Sequence, residues 1–341
     1  MPASVFAQAF DSQLEQDHEI RYVSLDEERV LNPPTSSEQR IHEFLGSPQQ
    51  LVEALGNGDE VIVVHGAPVT AEVLDEAQTI RLVCCARGGP VNVDIAAARE
   101  RGIAVTTTPG KNAAAVAELT VALLITLARR IDQAHAFLVD HGSLQTAFDG
   151  KRFLGLNVSG RTLGLVGFGR VSRRVTPIAQ ALGMRVLAFD PFIDDDEVSS
   201  GGAEPCDFVD LLAESDFVSL HARATPDNED LFAADEFALM KEGAFFINTA
   251  RESLVDEEAL AAALSSGRLR AAAVDVLRLA SATERNPLLD VENLVATPHI
   301  GGATDGTMAL GAEMLADEIT RFAAGEPLHW SADGIPLEQR R

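Results

Sequence analysis

Lysine is nearly missing from this 341-residue sequence, occurring only at positions 111, 151 and 241. Lys and Arg together number 27 against 52 Asp and Glu, a formal net charge of −25. That balance argues against nucleic acid as a partner, because phosphate binding needs concentrated basic side chains to release counterions. It favours solubility, and arginine retained where lysine is scarce fits a GC-rich genome or a salt-adapted cytoplasm. Cysteine is almost absent as well. Cys84 and Cys85 are adjacent on an apolar segment and Cys206 is distant, so there is neither disulfide arithmetic nor metal-ligand spacing. Buried thiols in a reducing compartment are expected, and no metal site. No apolar run is long enough to span a membrane: Val116 to Ala128 is interrupted by Glu118 and falls short of the roughly 20 residues required. Met1 to Ile20 carries Asp11, Glu15, Asp17 and Glu19 without a basic stretch before an apolar run, so no secretory signal is read and a cytoplasmic location is expected.

What is present suits a two-domain α/β protein, with 46% hydrophobic residues to fill two cores. Runs of β-branched and aliphatic residues at Glu60 to Val64, Arg81 to Cys85 and Gly102 to Thr106 alternate with helical stretches, which implies a parallel sheet. Asn112 to Ile131 reads as one long helix whose apolar face either fills a core or joins domains or subunits. After a loop around Asp140 to Leu156, a second alternation begins. Its strand candidates are Thr162 to Val166, Arg185 to Phe189, Phe217 to Leu220, Ala244 to Asn248, Ala271 to Val276 and Leu294 to Thr297, as in a doubly wound sheet. Thr304 to Ala324 returns to helical spacing, closed by Gly325 and Pro327.

The strand Thr162 to Val166 runs directly into Gly167-Phe168-Gly169-Arg170-Val171-Ser172, a glycine turn opening a helix. Gly167 permits the tight turn, and Gly169 lets a pyrophosphate approach backbone amides at the helix N-terminus, where the helix dipole favours negative charge. Ser172 stands where a third glycine would serve close packing and is small enough for that place. Pro177, in the second turn of the same helix, removes a backbone hydrogen bond and is expected to kink the axis. Asp190 ends the following strand. A carboxylate there accepts bonds from both ribose hydroxyls and repels a 2′-phosphate, so NAD is expected over NADP; an aspartate before Pro191 also serves as an ordinary turn residue.

The segments Val166 to Asp190, Val218 to His221, Phe246 to Arg251, Val274 to Val276 and Thr297 to Thr304 follow one another in an order and spacing that resembles the D-2-hydroxyacid dehydrogenases. Asn112 to Glu118 fits the same family's Asn-xxx-Val-Ala-Glu hinge helix, so the likeness runs from about residue 60 to 325. It implies two doubly wound parallel-sheet domains: a Rossmann cofactor domain, 113–304, inserted in a flavodoxin-like substrate domain made of 1–112 and 305–341. It further implies pairing into a homodimer through the long helix. The phosphoglycerate dehydrogenases with a regulatory module carry a long C-terminal extension, whereas a short tail follows Gly325 here. In this likeness Gly167, Gly169, Arg170, Val171, Asp190, His221, Thr249 and Asp275 contact NAD.

Reducing a 2-keto acid needs a cation on the carboxylate and carbonyl, and an acid for the oxygen as hydride reaches carbon. Arg251 suits the first task, since its planar guanidinium grips a carboxylate through two bonds and keeps its charge. His299 suits the second, because an imidazole titrating near 6.5, about its unperturbed value, donates in one direction and accepts in the other. Taken without the resemblance, both residues would read as ordinary surface groups. The family usually orients this histidine with a glutamate five residues after the Asp-Val aspartate, but that count from Asp275 falls on Ala280. Glu284 either folds back as a substitute or stays solvated. Glu252 stands where the family has glycine, adding a negative charge beside Arg251. Without an orienting carboxylate His299 is expected to titrate lower, with slower catalysis or an optimum shifted toward acid.

Arg87-Gly88-Gly89 occupies the place where relatives offer amides to the substrate carboxylate. Arg87 either adds specificity for a sugar acid or a phosphorylated acid or is a plain turn residue. The function expected is hydride transfer between NAD and a small D-2-hydroxy acid or 2-keto acid. The other reading is an NAD(H)-sensing protein with little turnover.

Overall fold

Apolar, β-branched runs become strands here because both faces of each parallel sheet are covered by helices, leaving no solvated face to be polar. A computed structural model describes residues 3–14, 19–23, 29–31, 40–41, 43–142, 153–278 and 285–332. In chain order its elements begin with α1 (Ala3–Gln13), β1 (Arg29–Leu31), β2 (Glu43–Leu45), α2 (Pro48–Ala54), β3 (Val61–Val64), α3 (Ala71–Glu76), β4 (Leu82–Cys85), α4 (Ile95–Glu100) and β5 (Ala104–Thr106). They continue with α5 (Ala113–Arg129), α6 (Ile131–His141), β6 (Thr162–Val166), α7 (Ser172–Ala181), β7 (Arg185–Phe189), α8 (Asp195–Ser200), β8 (Glu204–Pro205), α9 (Phe208–Glu214) and β9 (Phe217–Leu220). The last are α10 (Ala234–Leu239), β10 (Ala244–Asn248), α11 (Glu257–Ser265), β11 (Leu269–Val274), β12 (Leu294–Ala296) and α12 (Asp305–Ala324). The chain divides into two compact units, Met1–Lys111 with Thr304–Arg341, and Asn112–Ala303.

In the first unit β3, β4 and β5 form a parallel sheet in that order, and β1 pairs antiparallel with β2. Alternation along β4 sends Val83 and Cys85 to one core with Val73, Val93 and Val105. Leu82 and Cys84 go to another, with Phe6 and Phe10 of α1 and Leu315 and Ile319 of α12. Glu318, fully buried on α12, accepts bonds from the Thr106 hydroxyl (2.6 Å), the His329 amide (2.8 Å) and the Trp330 amide (3.2 Å). One carboxylate thereby ties the residues after α12 to the end of β5.

The second unit holds a seven-stranded sheet in the order β12-β11-β10-β9-β6-β7-β8, with every pairing parallel. Its two faces carry separate cores. Val166, Leu220, Phe246 and Val274 meet Phe232, Phe237 and Leu260 on one side; Leu163, Leu165, Phe245 and Ile247 meet Leu123, Leu124 and Val175 on the other. The fold class is the expected one, α/β with a parallel sheet in each unit. One expected element differs: the helix read as continuous to Ile131 breaks at Arg130, whose left-handed backbone (φ 53°) caps α5 and starts α6. The Arg130 amide bonds back to the Leu127 and Thr126 carbonyls, closing the first helix. Pro177 is exposed and α7 runs past it to Ala181.

Candidate functional site

Parallel strands put all their C-terminal ends on one edge, and the crevice opens where the chain's winding reverses. Here the reversal lies between β6 and β9, which are neighbours although β7 and β8 intervene in the chain. The glycine turn follows β6 at that point. Gly167 has φ 90°, and a Cβ there would lie 2.7 Å from the Ala222 amide nitrogen and 2.8 Å from the His221 carbonyl carbon, so only glycine lets the β9 exit pass. A Cβ on Gly169 would meet nothing within 4 Å, so the backbone faces open space just before α7, whose N-terminus has no side-chain cap. Ser172 is fully buried and its hydroxyl donates to the Gly167 carbonyl (2.5 Å), locking the turn rather than merely fitting it.

Asp190 is half-buried beyond β7. Its Oδ2 accepts from the Phe168 amide (2.8 Å) and its Oδ1 from the Phe192 amide (3.0 Å), which brings the carboxylate onto the glycine turn with lone pairs to spare. His221 leaves β9 with Nε2 2.9 Å from the Ser219 hydroxyl, and burial lowers its pKa to about 4, so the ring is neutral at pH 7. An uncapped helix start with a carboxylate bonded to the glycine turn before it suits a pyrophosphate and an adenosine ribose.

Arg251 and Thr249 follow β10. Asn248, fully buried, donates to the Arg251 carbonyl (2.9 Å) and accepts from the Ala250 amide (2.9 Å), fixing the turn between them. Arg251 is exposed and bonds the Ala250 carbonyl (2.7 Å), while the Thr249 hydroxyl is engaged with Thr120 of α5 at 3.0 Å. Asp275 follows β11 and is buried. Its Oδ1 accepts from the Thr297 hydroxyl (2.5 Å) and the Ile300 amide (2.9 Å), and its Oδ2 from the Gly301 amide (2.7 Å). The Asp275 carbonyl also accepts from the His299 amide (2.8 Å). Exposed His299 has φ 57°, a conformation rare outside glycine, and the Asp275 bonds on both sides of it hold that backbone in place. Gly301 is required by the same contact, since a Cβ there would lie 2.8 Å from Asp275 Oδ2.

Residues 121–301 match the family described as "D-isomer specific 2-hydroxyacid dehydrogenase, NAD binding domain". The chain belongs to that family. It is 36% identical over 279 residues to a D-3-phosphoglycerate dehydrogenase of Methanocaldococcus jannaschii, covering 82% of this chain and 52% of the relative. It is 35% identical to a glyoxylate reductase of Korarchaeum cryptofilum, covering 82% of this chain and 84% of that one. A crystal structure of a protein from Thermus thermophilus superposes with a TM-score of 0.72 at 36% identity, covering 83% of this chain and 89% of the other. The chain spans about half the length of the first curated relatives it matches, 52% and 53%.

NAD is the cofactor of this family's domain, and the glycine turn, the uncapped start of α7 and Asp190 fit it. In the first unit, Arg87, Gly88 and Gly89 lie on the turn after β4, where the Thr108 amide donates to the Arg87 carbonyl (3.0 Å) and both glycines are exposed. Ala280 and Glu284 lie outside the described residues. The chain on either side of them is pinned by Glu257, which accepts from the Arg278 amide (2.6 Å) and the Asn286 side chain (2.6 Å). Sequence reasoning did not single out Asn248, Glu257, Ser219 or Thr120, because the partner that gives each its role is fixed by folding rather than by a motif. Among the described residues no helix is long and apolar enough to cross a membrane.

Proposed function

We propose that this chain catalyses the NAD-dependent interconversion of a small D-2-hydroxy acid and its 2-keto acid, with reduction favoured. The observation that carries the reading is the Asp275 clasp, which holds His299 in a strained conformation on the same sheet edge as the NAD turn. Strain of this kind persists where the surroundings enforce it and is concentrated at functional sites. Bound NAD supplies the hydride chemistry. Arg251 takes the substrate carboxylate through paired N–H groups and draws electron density from the adjacent carbonyl, while His299 gives a proton to the carbonyl oxygen in reduction and removes it in oxidation. Arg87, Gly88 and Gly89 are assigned to the substrate as well, and Asp275 is a positioning residue for His299. The names of the similar proteins, a phosphoglycerate dehydrogenase and a glyoxylate reductase, support an acid of two or three carbons.

The test is a scan of 2-keto acids against NADH with the purified protein, repeated with Arg251→Lys. That variant keeps the charge and loses the two-pronged grip, so kcat/KM should fall by about a hundred-fold while NADH affinity stays within about three-fold. Tight NADH binding with no acid reduced would sink the enzyme reading and favour an NAD(H) sensor. A homodimer is also proposed, supported by an apolar groove along Val121, Ala122 and Ile125 of α5, Ile131 of α6 and Ile178 of α7.

A further inference from the structure

Arg223 follows the exit of β9 at the point where that exit touches the glycine turn. The His221 amide donates to the Val166 carbonyl (2.7 Å), and a Cβ on Gly167 would lie 2.7 Å from the Ala222 nitrogen, so residues 221–222 run against the start of the turn and Arg223 comes next. Its backbone is held: the Asn228 side chain donates to the Arg223 carbonyl (2.9 Å) and accepts from the Thr225 amide (2.8 Å). Its side chain is exposed. Among the described residues the guanidinium has neither an ion pair nor a hydrogen bond, although Asp227 and Glu229 follow closely and acids outnumber bases by 52 to 27. A cation left unpaired on a fixed loop of so acidic a chain is available to an anion. The adjoining helix is arranged for one as well. The first turn of α7 has no acid and carries Arg173 and Arg174, an inversion of the usual preference, since the helix dipole favours negative charge at that end. Arg173 is committed to Glu197 (2.7 Å), and Arg174 stands one turn before Ile178, on the flank of the apolar groove.

We infer that Arg223 is a cofactor-binding residue, whose guanidinium bonds the pyrophosphate of NAD together with the amides at the start of α7. This rests on the reading of the glycine turn as the pyrophosphate site. Planar N–H groups match phosphate oxygens, and the long arginine stem starts beside the turn, so no backbone movement is needed to bring the charge over it. A dinucleotide carries its own negative charge toward a chain of net charge −25, and a local cation offsets that repulsion where the phosphates settle.

Binding is read without turnover, from NADH fluorescence and its displacement by ADP-ribose, which keeps the pyrophosphate and lacks the nicotinamide, and by adenosine, which lacks both. Arg223→Gln should weaken NADH and ADP-ribose by about ten-fold each, and adenosine by less than about two-fold. The NADH deficit should shrink to about three-fold as salt rises from about 0.05 to about 0.5 M, because screening removes the charge contribution. Arg223→Lys keeps a point charge and should bind NADH within about three-fold of the unmodified protein. Arg270→Gln is the control for net charge. Arg270 is exposed at the opposite, N-terminal edge of the same sheet, where it lies over the Phe245 ring without an ion pair among the described residues, so its removal should leave NADH affinity within about two-fold. Matching urea midpoints establish that the variants fold. No loss in Arg223→Gln, equal losses in the two glutamine variants, or a loss confined to NADH would each overturn the proposal. An unmodified protein that binds neither NADH nor ADP-ribose removes the cofactor reading of the turn and Arg223 with it, whereas one that binds both yet reduces no acid removes the enzyme reading alone.

Discussion

Asp190 receives the Phe168 and Phe192 amides on its two oxygens, so its removal affects cofactor choice and local stability together. The unmodified protein should prefer NAD over NADP by about ten-fold or more in kcat/KM, because a 2′-phosphate beside this carboxylate costs upwards of ~1.4 kcal/mol. Asp190→Ala should bring the ratio toward unity and lower the unfolding free energy by about 1–3 kcal/mol through the unpaired Phe168 amide. Equal use of both cofactors by the unmodified protein would show that Asp190 does not face the ribose. His221 gives a pH prediction. Its pKa falls from 6.5 to about 4 on folding, so between those values the unfolded chain binds the extra proton. The stability conferred by keeping the ring neutral is intact above about 6.5 and is lost progressively as pH falls toward 4. Urea titrations across that window should show His221→Asn less sensitive to acid than the unmodified protein, and parallel slopes would mean the ring is not desolvated. Glycine turns and strand-end acids were legible because their chemistry is local. The role of Asp275 as the holder of His299 was not, because that depends on three donors more than 20 residues away in the chain, at Thr297, Ile300 and Gly301.

At the level of elements, Glu318 of α12 is the joint most exposed to test. Glu318→Gln keeps the size but turns one acceptor into a donor facing the Thr106 hydroxyl and two amides, so stability should fall by about 2–4 kcal/mol with no change in NADH affinity. Chemical denaturation alongside NADH titration would check both halves, and an unchanged denaturation midpoint would show that the buried carboxylate is dispensable. The strands of the larger sheet were readable because parallel strands buried on both faces are nearly continuous apolar runs. β11 begins at Leu269, two residues before the Ala271 to which the apolar pattern points, since Leu269 and Arg270 look like the end of the preceding turn. The two-residue β8 has no signature in the sequence: Glu204–Pro205 is an edge pairing too short to carry a pattern, and proline is tolerated there because an edge strand need not donate on its outer side. The break at Arg130 left no mark in the sequence, because arginine is a good helix former and its left-handed turn is set by closure of α5 and the Gln133 side chain, which accepts from Arg130 Nε at 2.7 Å.

For the whole molecule, a net charge of −25 means that two copies meeting must overcome mutual repulsion. If the apolar groove on α5, α6 and α7 is the meeting face, the dimer should tighten as salt rises from about 0.02 to about 0.5 M, because screening removes the repulsion and leaves the apolar contact. Sedimentation equilibrium would show this, and Ile125→Glu should yield monomer; a dimer that loosens with salt would instead be held by polar pairs. The arrangement of the units along the chain has a further consequence during synthesis. Asn112–Ala303 is continuous and has every residue of its two cores by the time Ala303 is made. The first unit begins earlier yet lacks Leu315, Glu318 and Ile319 until α12 emerges from the ribosome, so β4 and β5 wait with one face covered by α1 alone. Nascent chains halted soon after residue 303 clears the exit tunnel should therefore carry a protease-resistant second unit and a protease-sensitive first one, the reverse of the order in which they were translated.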